Sequence, residues 1–124
     1  MMTLPITSAV AAILALLMFP LTVQISLRRA ALGKAEGNAF AYIFGDANDE
    51  VLKRRIRAFG NFIEYTPFCL LLLALIEIAN ASNTVLCITA SALLGGRFIH
   101  AAGMLLGISS LRGLAMMMTY TAFL

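Results

Sequence analysis

The chain has 124 residues, 61% of them hydrophobic and only 12% charged, with a net charge of +3. That length holds one domain, and a soluble domain of this size could not hide so much apolar surface from water. The positive balance does not mark a nucleic-acid binder, because seven of the nine basic residues fall between positions 28 and 57, as expected of a cytoplasmic loop beside membrane spans.

Taken in chain order, the apolar runs predict an all-α integral membrane protein, a four-transmembrane-helix up-down bundle. The first span covers about residues 4–27 without a charged side chain, and a crossing needs roughly 20 apolar residues. It has no basic leader and is too long for the apolar core of a cleaved signal peptide. Pro20 should kink or break it. A long polar loop follows over about 28–56. Its end, from Asp49 to Arg57, lacks Gly and Pro and can already be helical, with Asp49 and Glu50 placed to pair with Lys53 and Arg54 at i,i+4. The remaining spans are expected at about 57–79, 84–106 and 111–124. The last has about 14 residues, or about 21 Å, short for a full crossing, which suggests a continuation past residue 124. Arg or Lys accompany only the first connection and, through Arg112 just after it, the third, so both face one side. The positive-inside rule makes that side cytoplasmic and leaves both termini outside.

Polar residues inside a membrane need a partner, a wet cavity or a task. Arg57, Asn61, Glu64 and Tyr65 occur at i, i+4, i+7 and i+8, which is one helical face. Pro67 should loosen the backbone beside it. On the third helix Arg97 and His100 lie one turn apart at a matching depth. Arg28 and Arg29 close the first helix and Arg112 opens the fourth. These residues converge on one layer that suits a small anionic, amide-rich ligand. Arginine forks match carboxylates, Asn61 can pair with an amide, and Glu64 can hold an ammonium. A guanidinium beside a thiol favours the reactive thiolate.

Plainer readings exist for each residue. Arg97 and Glu64 could pair for structure alone, and a lone His100 is more often a hydrogen-bonded core residue. Arg28, Arg29 and Lys53–Arg55 suit topology and lipid headgroups. Glu77 lies on the opposite face as an interfacial or packing residue. Met116, Met117 and Met118 read as lipid contact or filler. Gly103 and Gly107 form a GxxxG step. Cys69 and Cys87 lie in apolar runs as packing residues rather than a disulfide pair, and a single histidine offers no metal site.

The segment Arg57-Ala-Phe-Gly-Asn61-Phe-Ile-Glu64-Tyr65-Thr-Pro67 reads R-x3-N-x2-E-Y-x-P. It resembles the signature of the MAPEG family, the membrane-associated proteins in eicosanoid and glutathione metabolism. Arg28-Arg29-Ala30 is similar to the end of the family's first helix, and Arg97-Phe-Ile-His100 to an R-x2-[HY] step in its third. The resemblance implies a homotrimer with glutathione bound between subunits toward the cytoplasmic side. It implies contacts from Arg28, Arg57, Asn61, Glu64 and Tyr65, and a pocket completed by Arg97 and His100. An arginine would stabilise the thiolate, Arg112 first and Arg29 second. The implied activity is a transferase or peroxidase acting on lipophilic electrophiles that enter from the lipid. The short length is similar to that of bacterial members, which implies an inner-membrane location. Two departures stand out: Met104 occupies the place of an aromatic residue, and Arg112 falls one residue out of register. They favour a non-catalytic alternative that binds a lipid or small anion. A small multidrug-type transporter fits the size, but Glu64 lies toward one end of its span and pairs readily with Arg.

Overall fold

Proline at the first position of a helix has no amide to lose, and Pro5 opens α1 (Pro5–Ala35) in that role. The structure, a computed structural model, describes residues 3–38 and 40–121. Within them α1 is followed by α2 (Glu50–Ile78), α3 (Asn83–Leu106) and α4 (Ser109–Thr121). The helix α1 runs well past the expected boundary at Leu27. Arg28 to Ala35 are polar enough to leave lipid but contain good helix formers. What ends the helix is Gly37, at φ 73°. The Asn38 amide donates to the Gly33 carbonyl at 2.9 Å and the Gly37 amide to Lys34 at 3.1 Å, the paired bonds of a Schellman stop.

The connection between α1 and α2 is therefore shorter than the expected 28–56 loop. Asp49 is the N-cap of α2, accepting from the Leu52 amide at 2.7 Å. The expected i,i+4 pairs give way to others. Lys53 meets Glu50 at i,i+3, 3.2 Å apart, and Arg54 Nε donates to the Glu50 backbone carbonyl. With its carboxylate taken by the cap, Asp49 pairs instead with Arg28 at 2.7 Å. A second Schellman stop closes α2: Asn80 sits at φ 59°, its amide donates to Glu77, and that of Ala81 to Ile76. Ser82 then caps α3. Both α1 and α2 continue through their internal prolines, Pro20 and Pro67, so Pro20 does not break its helix.

Helices α1 and α2 are antiparallel and joined at both ends. Near one end Arg55 donates to the Gln24 carbonyl at 2.8 Å. At the other, Glu77 accepts from the Ile6 amide at 2.9 Å, the Thr7 amide at 2.8 Å and the Thr7 hydroxyl. Glu77 is thus the capping group of α1, a sharper role than the packing expected of it. Helix α3 packs against all three others. Its core side chains, Leu86 and Leu93, meet Leu14 and Leu21 of α1 and Phe62, Cys69 and Leu73 of α2. Cys69 is buried and Cys87 exposed, and both are free thiols.

Close contact of α3 with α4 depends on Gly96 and Gly103, seven residues apart on one face. A Cβ at Gly96 would stand 3.0 Å from Thr119 Oγ1, and one at Gly103 would stand 3.0 Å from Leu111 Cβ. The GxxxG reading is half right: Gly103 faces α4, whereas Gly107, at φ 73°, is the left-handed C-cap of α3. Helices α1, α2 and α3 are each long and apolar enough to cross a membrane. Helix α4 is described only to Thr121, and residues 122–124 of the expected fourth span lie outside the described residues. Leu16, Phe19, Phe68 and Ile88 are each more than 60% exposed, an outer surface suited to acyl chains rather than water.

Candidate functional site

Of the four residues of the predicted α2 face, all but Tyr65 border an open groove. Arg57, Asn61 and Glu64 line it from α2, His100 and Met104 from α3, and Arg112 from α4, around a volume of about 400 Å³. Asn61, His100 and Arg112 also border a continuation of about 480 Å³, where Ser109, Gly113 and Met116 join them. Met116 therefore belongs to the groove wall, unlike Met117, which is exposed as expected of lipid contact. Arg112 reaches the groove despite its register, because Gly107 and Ile108 alone separate α3 from α4 and Gly103 lets α4 lie close. Toward the loop, Ile56 and Arg57 also border a smaller groove with Asp46, Glu50, Lys53 and Arg54.

Arg97 does not line this groove. It is 1% exposed, and its Nη1 donates to Asn61 Oδ1 at 3.1 Å and to the Asn61 carbonyl at 3.3 Å. Its Nη2 donates to Thr119 Oγ1 at 2.6 Å, and the guanidinium lies 5.6 Å from the centroid of the Tyr65 ring. The structural partner expected for it, Glu64, is exposed on the groove and makes no ion pair with it. Neutral groups hold Arg97 instead.

Arg28 and Arg29 are not brought to the same groove. Arg28 forms a two-bond pair with Asp49, Nε to Oδ1 at 3.2 Å and Nη2 to Oδ2 at 2.7 Å. That pairing, with the Leu52 amide second, holds the Asp49 carboxyl at about 2. Arg29 donates to the Gly45 carbonyl at 3.0 Å and borders a separate groove with Ser26, Ala30, Tyr42 and Ile43. In that loop the Tyr42 hydroxyl donates to Glu36, which pushes its phenol pKa up.

Thr119 was missed at the sequence level. One signal could have found it: it follows Arg112 by seven residues, on the same face of a helix otherwise rich in methionine. Asp49 was missed as the partner of Arg28 because its i,i+4 neighbour Lys53 offered a nearer explanation.

A bundle with three membrane-length apolar helices and a cation-bearing groove near one end defines an integral membrane protein with a candidate small-anion site. The chain belongs to the MAPEG family, whose model matches residues 7–124. That family includes glutathione-dependent transferases and peroxidases as well as non-catalytic members. Searches of curated proteins and of solved structures returned no match.

Proposed function

We propose that the protein is a glutathione-dependent membrane enzyme, a transferase or peroxidase acting on lipophilic electrophiles that enter from the bilayer. The observation that carries this reading is the meeting of Arg57, Asn61 and Glu64 with His100 and Arg112 around one groove. Glutathione has two carboxylates, an ammonium and two amides. Two guanidiniums, one carboxylate and one carboxamide on the groove match those groups in charge and hydrogen-bonding type. Bound glutathione supplies a thiol nucleophile. Arg57 holds a carboxylate, Glu64 the ammonium, and Arg112 stabilises the thiolate by a charge-assisted hydrogen bond. His100 completes the pocket from α3, and Tyr65 stands behind it against Arg97.

The active form in this proposal is a homotrimer in a bacterial inner membrane, with the α1–α2 connection cytoplasmic and both termini outside. Glutathione binds between subunits. Arg28 and Arg29, which do not line the Arg57–Arg112 groove of their own chain, then serve a groove on the neighbouring subunit. The test is glutathione thiolate absorbance and conjugation of a generic electrophile by the full chain in detergent. Arg112→Ala should lower turnover by about 10²–10³-fold, and Arg57→Ala should mainly weaken binding. No binding at roughly millimolar glutathione, the upper end of ordinary substrate KM values, rejects the proposal.

Met104, buried at the groove wall, favours one other reading: a non-catalytic member that binds a lipid or small anion. It predicts a bound ligand without turnover and no response to Arg112→Ala.

A further inference from the structure

Arg97 is a buried cation whose hydrogen-bonding partners among the described residues are all neutral, and it lies directly behind a residue that borders the groove. Arginine has five donors and no acceptor, so whatever faces it must accept. Thr119 meets that demand. Its hydroxyl donates to the Ala115 carbonyl at 2.9 Å, which turns an oxygen lone pair toward Nη2, 2.6 Å away. Asn61 meets it twice, through its carbonyl and through Oδ1. A carboxamide has one acceptor end and one donor end. With Oδ1 committed to Arg97, the donor end is the free one. Among the described residues the one hydrogen-bond partner of Asn61 Nδ2 is a thioether, Met116 Sδ at 4.0 Å, and both residues border the groove.

We infer that Arg97 is a positioning residue which locks the Asn61 carboxamide with Nδ2 toward the groove, so that this point of the site accepts only a hydrogen-bond acceptor, a carboxylate or amide carbonyl oxygen of the ligand. The inference rests on the glutathione reading for the identity of the ligand, but not for the orientation of the amide. It narrows two expectations from the sequence. Arg97 acts from behind Asn61 rather than on the ligand, and Asn61 meets an amide through its donor end. The anchor extends through Thr119 into α4, so the helix that carries Arg112 also sets the orientation of a side chain on α2.

The experiment uses the full chain in detergent. Arg97→Met replaces a buried charge with an apolar side chain of similar length, a change that folds are known to tolerate; Thr119→Val removes only the far anchor. With glutathione as ligand, Arg97→Met should raise KM about tenfold, the worth of one lost hydrogen bond to a charged group, with turnover at saturation changed far less. Arg97→Lys, which keeps a donor-only cation, should recover most of the loss. Asn61→Ala should raise KM comparably, and the Arg97→Met/Asn61→Ala double variant should be no worse than Asn61→Ala alone. Asn61→Asp, which keeps the acceptor and loses the donor, should bind no better than Asn61→Ala. Losses that multiply in the double variant, or a fall in turnover at unchanged KM, would overturn the inference.

A second measurement needs no ligand. The side-chain amide resonance of Asn61, assigned by its disappearance in Asn61→Asp, should be single in the parent and shifted or doubled in Arg97→Met and Thr119→Val. An unchanged resonance overturns the inference even if glutathione binds. If the parent binds no glutathione, the functional reading falls and this resonance still decides the orientation.

Discussion

Asp49 does two things with one carboxylate. It caps α2 through the Leu52 amide and pairs with Arg28 across the loop. Both interactions favour the ionised form and hold its pKa at about 2, below the ordinary carboxylate value. The linkage follows from the sign of that shift: the stabilisation is fully present above roughly pH 4 and is lost as pH falls through about 2. Asp49→Asn can still accept from the Leu52 amide but loses the ion pair. Its thermal unfolding in detergent should fall below that of the parent at neutral pH, with the gap closing between about pH 4 and 2. A gap that stays constant across that range would mean that the carboxylate charge contributes nothing. At this scale the sequence revealed which residues share a face, because Arg57, Asn61 and Glu64 obey the 3.6-residue period. It did not reveal partners. Arg97 could reach Glu64, Asn61 or Thr119, and the choice depends on how near α4 lies, which two glycines of α3 set.

Those glycines carry the argument at the scale of the element. Gly96 leaves room for Thr119 and for the Ala115 carbonyl, which a Cβ would approach to 3.0 and 3.3 Å. Gly96→Ala should therefore push α4 away and cost about 1–3 kcal/mol, read as a lower unfolding temperature. Gly113→Ala, with nothing within 4 Å of its Cβ, should raise stability by up to about 1 kcal/mol through helix propensity. Equal effects at the two positions would contradict the packing described for α3 and α4. Helix ends were legible only where a stop signal coincided with the edge of an apolar run. That coincidence holds near Ile78 and Leu106. It fails at α1, where apolarity ends at Leu27 and the Schellman bonds come at Gly33 and Lys34. Polarity marks where a helix leaves lipid; capping marks where it ends.

For the whole molecule, composition was a sufficient guide to the solvent. The large exposed apolar side chains of α1, α2 and α3 suit an apolar surrounding rather than water. Hydropathy carries no trace of whether another subunit borders the groove, because a protein neighbour and a lipid ask the same of an outward leucine. Subunit mixing addresses this directly. Arg29 and Arg112 border different grooves of one chain. If the proposed site joins them across an interface, co-assembly of Arg29→Ala chains with Arg112→Ala chains should restore conjugation that neither has alone. No recovery on mixing would mean that the proposed site does not join Arg29 and Arg112 across an interface.

The Glu77 cap also bears on how the chain is made. The first free amides of α1, at Ile6 and Thr7, are both satisfied by a carboxylate near the end of α2. During synthesis those amides precede Glu77, so the N-terminal end of the first helix lacks this cap until the second helix has been made. The hairpin of α1 and α2, rather than either helix alone, is then the smallest unit in which the start of α1 is capped.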